Sequence, residues 1–139
     1  MRPHILFSAV LLAASASLAG AQKSSMKMPA GVAGTWEGKS LLGASDSVVT
    51  TWVLTATATK KGWVLKLPNR EPMPTRVIAA GGDSVVTKTG PYDSVLRSGR
   101  KVTTFTTGHY NGDHMTGRFS ATYANGIVVA GKASATRKK

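Results

Sequence analysis

From Trp52 onward the chain alternates: Trp52, Leu54, Ala56 and Ala58 fall on one side of an extended backbone, and Thr51, Thr55, Thr57 and Thr59 on the other. A period of two is the signature of a strand with one face buried, and no stretch between Gly34 and the C-terminus shows a 3.6-residue apolar stripe. The pattern predicts strands over Gly34 to Ser40, Val48 to Thr59, Trp63 to Leu67, Thr75 to Ala80, Ser84 to Thr89, Lys101 to His109, His114 to Tyr123 and Ile127 to Thr136. In the third, Trp63, Leu65 and Leu67 alternate with Val64 and Lys66. In the seventh, Met115, Gly117, Phe119, Ala121 and Tyr123 share a face. Lys60-Lys61-Gly62, Gly81-Gly82-Asp83, Asn111-Gly112 and Asn125-Gly126 read as turns between them, and the Asn-Gly pairs supply the positive φ angles of a tight primed hairpin. Pro68 to Pro74, with three prolines, reads as a loop because proline cannot donate to a ladder. Gly90-Pro91-Tyr92-Asp93 reads as a break, and Arg137-Lys138-Lys139 as a basic tail.

Eight strands in meander order, mostly joined by hairpins, are most simply closed into an antiparallel up-and-down barrel, which leaves no free edge. A β-sandwich is the alternative. The barrel domain occupies 34–139. Ahead of it, Gln22 to Ala33 has Ser, Lys, Met, Pro and Gly without apolar period and reads as a flexible linker. Residues 1–21 read as a signal peptide: Arg2 and His4, then an apolar run from Ile5 to Leu18, then the small-x-small site Ala19-Gly20-Ala21. That run is shorter than the ~20 residues of a spanning helix, so a cleaved signal is expected rather than an anchor, and a periplasmic or secreted protein. With no cysteine in the chain, a lipoprotein anchor at the cleavage site, a disulfide framework and a cysteine zinc site are all excluded.

A phrase recurs at Asp46-Ser47-Val48-Val49-Thr50 and Asp83-Ser84-Val85-Val86-Thr87, with an echo at Asp93-Ser94-Val95-Leu96. Asp and Ser bond their local backbone at turns and the β-branched pair starts a strand, so strand starts account for it. The unequal spacings are not those of a solenoid.

Charge changes the picture more than motifs do. Lys and Arg total 18 against 6 Asp and Glu, a formal charge of +12 over the 139 residues. Such a field favours anionic partners. Export and the scatter of the cations over many strands argue against nucleic acid. An anionic envelope surface or the acidic face of a membrane protein complex fits better, with Lys60, Lys61, Arg137, Lys138 and Lys139 as docking residues. The plain alternative is that the lysines only keep the protein soluble.

Candidate chemistry is sparse. A four-residue loop Tyr110-Asn111-Gly112-Asp113 would leave His109 and His114 opposite each other, but zinc needs three or four ligands, and no metal or other cofactor is expected. There is no cysteine nucleophile, no Gly-x-Ser-x-Gly elbow and no phosphate loop, so an enzyme is not expected. Asp46, Asp83, Asp93 and Asp113 stand in turns, leaving Glu37 and Glu71. Trp36, Trp52, Trp63, Phe119 and Tyr123 fall on the inward faces. They would line a ligand pocket if the barrel is hollow, or pack its core if it is filled.

Gly34-Thr35-Trp36 resembles the Gly-x-Trp signature that opens the first strand of lipocalins and, equally, of avidin-like barrels, both calycin-like. The resemblance implies that the tryptophan closes one end beneath a basic residue of the last strand, Arg137 or alternatively Arg118. It also implies carriage of a small apolar ligand. The reading that follows from charge and compartment is a non-enzymatic module docking on an anionic partner, an extrinsic subunit of a membrane complex. The carrier is its alternative.

Overall fold

A computed structural model describes residues 26–43 and 47–139. The expected signal peptide and Asp46 lie outside the described residues. The chain forms strands β1 (Gly34–Leu42), β2 (Ser47–Ala56), β3 (Val64–Lys66), β4 (Met73–Gly81), β5 (Ser84–Asp93), β6 (Lys101–Asn111), β7 (His114–Tyr123) and β8 (Val128–Arg137). Each pairs antiparallel with the next, and β1 pairs with β8 from Trp36 opposite Arg137 to Leu42 opposite Gly131, so the sheet closes into one eight-stranded up-and-down barrel. The meander order decides this: every hairpin satisfies its own ladder, and closure satisfies the last two edges. The sandwich alternative is excluded.

The alternation predicted for β2 and β7 holds. Trp52, Leu54 and Ala56 are buried on one side, and Met115, Phe119, Ala121 and Tyr123 on the other. Outward positions carry Glu37, Lys39, Thr51, Thr55, Thr116 and Arg118. A membrane-spanning barrel would instead turn an apolar band outward.

Several boundaries differ from the sequence reading. β2 stops at Ala56 because Thr57 and Thr59 turn the chain: the Thr57 hydroxyl donates to the Thr59 carbonyl at 3.0 Å, and the Lys61 amide donates to the Thr59 hydroxyl at 3.2 Å. Trp63 and Leu67 are buried although β3 itself spans only Val64–Lys66. Pro74, expected in a loop, belongs to β4, where it stands opposite Val64. The expected break at Gly90 is a register shift between Thr89 and Tyr92, with a cis Gly90–Pro91 bond, and β5 runs on to Asp93. β6 continues to Asn111, so the turn before β7 is Gly112-Asp113, with the positive φ of 61° on Gly112 and not on Asn111. That places glycine first in a two-residue primed turn, one of the two favoured solutions.

The last part of the expected linker is packed: Val32 is 2% exposed and Met28 lies against the core. Arg137 is the last residue of β8 rather than part of a free tail.

Candidate functional site

In this topology the barrel has two dissimilar ends. One carries the incoming chain at Val32–Gly34, the β2–β3, β4–β5 and β6–β7 connections and the C-terminus. The other carries the β1–β2, β3–β4, β5–β6 and β7–β8 connections.

The first end is sealed. Trp36 is wholly buried, and its indole N–H donates to the Val32 carbonyl at 3.0 Å. The Arg137 guanidinium lies 4.5 Å above the Trp36 ring, and Tyr110 meets that ring edge-on with centroids 5.0 Å apart. A guanidinium over an indole face is held by the ring quadrupole, and here its N–H fork is filled as well. It donates to the Gly31 and Ala33 carbonyls and to the Asp113 carboxylate, the last at 3.0 Å. The resemblance implied such a pair. The structure selects Arg137, while Arg118 points outward and is exposed. Burial pushes the Tyr110 phenol up to about 12. Trp63 adds to the seal, 1% exposed, with its indole N–H donating to the Thr59 carbonyl at 2.7 Å.

Above this plug the interior is nearly full. The Trp52 ring lies inside the barrel over Gly38 of the neighbouring strand, where any Cβ would overlap it, and its indole N–H reaches the Ser40 hydroxyl at 3.0 Å. The remaining cavity is about 70 Å³. One side of it is apolar, with Trp52, Leu54, Leu65 and Met115. The other is a wall of hydroxyls from Thr75, Thr87, Thr89, Thr104, Thr106 and Tyr92. Thr75 and Thr89 share a hydrogen bond, as do Tyr92 and Thr104 at 2.6 Å. Burial raises the Tyr92 phenol. Such a space is well below the roughly 300–1,000 Å³ of a typical ligand pocket.

Of the five aromatics expected to line a pocket, Trp52 alone borders this cavity. Trp36 and Trp63 belong to the seal. Phe119 and Tyr123 pack with Val102 and Ala121 in a second cluster. The threonine wall escaped the sequence reading because Lys101–Asn111 carries threonine on both faces, Thr104 and Thr106 inward, Thr103 and Thr107 outward, so alternation there has no contrast.

The histidines do not stand directly opposite each other. His109 stands opposite Thr116 and His114 opposite Asn111, because the turn has two residues and not four. The His109 imidazole meets the Asp83 carboxylate at 3.2 Å and the Ser84 hydroxyl at 2.9 Å. The Ser84 hydroxyl also donates to the Asp83 carboxylate at 3.1 Å, and the His109 contact first, then this bond, hold the Asp83 carboxyl below its usual range. No cluster of three or more His, Cys, Asp or Glu suited to a metal occurs among the described residues.

Cations cover the exterior. Lys60, Lys61, Lys138 and Lys139 are exposed at the sealed end, with Lys139 3.8 Å from Asp113. Arg137, grouped with them by sequence, is half-buried and engaged as the cap. On the wall, Arg76 stands beside Lys88 and Arg118 beside Lys132, and the Lys88 ammonium lies 5.8 Å from the Phe105 ring centroid. At the second end, Lys101 pairs with Asp93 at 3.0 Å, Arg97 lies 5.5 Å over the Tyr123 ring, and Arg100 is exposed.

No family model matches this chain, and neither a curated protein nor a solved structure matches it.

Proposed function

We propose that this protein is a non-enzymatic docking module, exported from the cytoplasm, that binds an anionic partner at an envelope or membrane surface, as an extrinsic component there. The observation that carries the reading is the division of the molecule. The interior is packed down to a cavity of about 70 Å³ bordered by no charged side chain, while the cations lie on the outer surface. What the protein recognises is therefore on its outside, and the sign of that outside selects anionic chemistry and speeds encounter with it. The same small cavity weighs against carriage of a large apolar ligand.

The test is retention of the purified protein on membranes or envelope material from its own source at low salt. Release by rising salt is expected, since exposed charge pairs are screened beyond about 10 Å at 0.1 M. Reversing Lys60 and Lys61 to Glu, or removing Lys138 and Lys139 while leaving the Arg137 cap, should weaken retention. Retention that ignores both salt and these changes would sink the reading and reduce the charge to a solubility device.

A further inference from the structure

Large apolar side chains are not exposed at random. Among the described residues, Val48, Val95, Leu96, Ile127 and Val128 stand out at 40–56% exposure, and all belong to the end opposite the Trp36 seal; Met26 and Ile78 are the others. Single exposed hydrophobes are ordinary, but a set gathered on neighbouring loops marks an interaction site.

Four of the five are held at one edge by Tyr123. Its hydroxyl shares a 2.7 Å hydrogen bond with Ser94 at the start of the β5–β6 connection, and its amide donates to the Ile127 carbonyl at 2.9 Å across the β7–β8 turn. Ser94 is buried and its hydroxyl also accepts the amides of Leu96 and Arg97, both at 3.1 Å; the Ser94 amide donates to the Arg100 carbonyl at 2.8 Å. The tip is thus built around an internal polar knot that leaves Val95 and Leu96 in solvent. Flanking them are Arg97, Arg100 and Lys101, with Asp93 already paired to Lys101. On the β3–β4 connection, Arg70 donates to the Asp93 carbonyl, and Glu71 is a second acid at this end.

We propose that this rim docks on an anionic lipid bilayer, Val95, Leu96, Ile127 and Val128 entering the headgroup boundary while Arg97 and Arg100 meet lipid phosphates. The inference rests on the docking reading above and narrows its partner to lipid. Two features favour a bilayer over an acidic protein. Val95, Leu96 and Ile127 sit on the connections at this end of the barrel, beside Val128 at the start of β8, an arrangement that suits a fluid surface without fixed shape, and the closed barrel offers no free edge for strand addition. Apolar tips ringed by cations combine burial with attraction to anionic headgroups, each basic residue contributing roughly a fivefold gain near such a surface.

The deciding experiment is cosedimentation of the purified protein with vesicles of phosphatidylcholine alone and of equimolar phosphatidylcholine and phosphatidylglycerol. The wild type should bind the second and not the first. The L96S/I127S double variant should lose roughly tenfold or more in affinity, and R97Q/R100Q a similar factor. Both keep the Ser94–Tyr123 knot, so an unchanged circular dichroism spectrum is required of each. In a third variant, Leu96→Trp, indole emission should shift to the blue on binding. Equal binding by wild type and L96S/I127S would overturn the rim as the site and leave charge-driven docking in place. Failure of the wild type to bind these vesicles, with salt-sensitive retention of an acidic protein instead, would overturn the lipid proposal alone. Failure to bind either would remove both readings.

Discussion

The two ends of the barrel solve the same problem in opposite ways. At the sealed end, Trp36, Trp63 and Tyr110 are drawn inward and roofed by the Arg137 guanidinium, and the residues left outside are mostly polar, Lys60, Lys61, Lys138 and Lys139 among them. At the other end a serine and a tyrosine hydroxyl form the tie, and the residues left outside include Val95, Leu96, Ile127 and Val128. Both ends of a barrel must cover the ends of its core. The contrast teaches that closure with large aromatics stabilises, whereas closure with a polar knot leaves apolar side chains free for contact with something else.

The largest effect expected from breaking this contrast is at the seal. Trp36→Ala should cost about 3–5 kcal/mol, a large fraction of an ordinary domain's stability, measured by urea unfolding. It deletes the indole that Val32, Tyr110 and Arg137 all contact.

Alkali should attack the same end. The Tyr110 phenol titrates at about 12 in the folded protein against 10.0 for an ordinary tyrosine, so folding favours its neutral form. Because the folded pKa lies above the unfolded one, this contribution is complete below about pH 10 and is lost as pH rises through 12. The loss is on the order of 3 kcal/mol. Tyr110→Phe should flatten that part of the pH–stability curve; an identical alkaline decline would mean that another group is responsible.

The rim should respond less. Ser94→Ala removes a buried hydroxyl that serves Tyr123 and two amides, and should cost about 1–2 kcal/mol, with loss of amide-exchange protection confined to Leu96 and Arg97. Smallest of all, the L96S/I127S pair should leave the unfolding midpoint within about 0.5 kcal/mol of wild type while changing lipid binding. A large stability loss there would show that these side chains serve the core.

Much of the barrel was legible because the inward and outward residues of most strands differ in polarity. Trp52, Leu54 and Ala56 against Thr51 and Thr55 leave one choice of face, and Met115, Phe119 and Ala121 against Thr116 and Arg118 leave one more. Turn glycines located the hairpins but missed their register by a residue or two, since Asn111 has strand geometry and Gly112 alone needs positive φ. That small error moved His109 and His114 from opposite positions to diagonal ones. The interior threonines were illegible for the opposite reason. A residue equally at home on either face carries no direction, and the register with Ala121 and Phe119 is what turns Thr104 and Thr106 inward.

Period, turn chemistry and composition are enough to specify the all-β class, the strand number and order, the excess of cations and the inward course of Trp36, Trp52, Trp63, Phe119 and Tyr123. How those aromatics divide depends on the assembled barrel. Trp36 and Trp63 go to the seal, Trp52 to the lumen, and Phe119 and Tyr123 to a second cluster, because the stagger of strands around a closed barrel sets the level of each inward residue. Closure likewise brings Arg137 over Trp36, Tyr123 under Arg97, and the tips of two connections to one rim. These pairs are far apart along the chain, and local pattern carries no record of which distant residue a strand will meet.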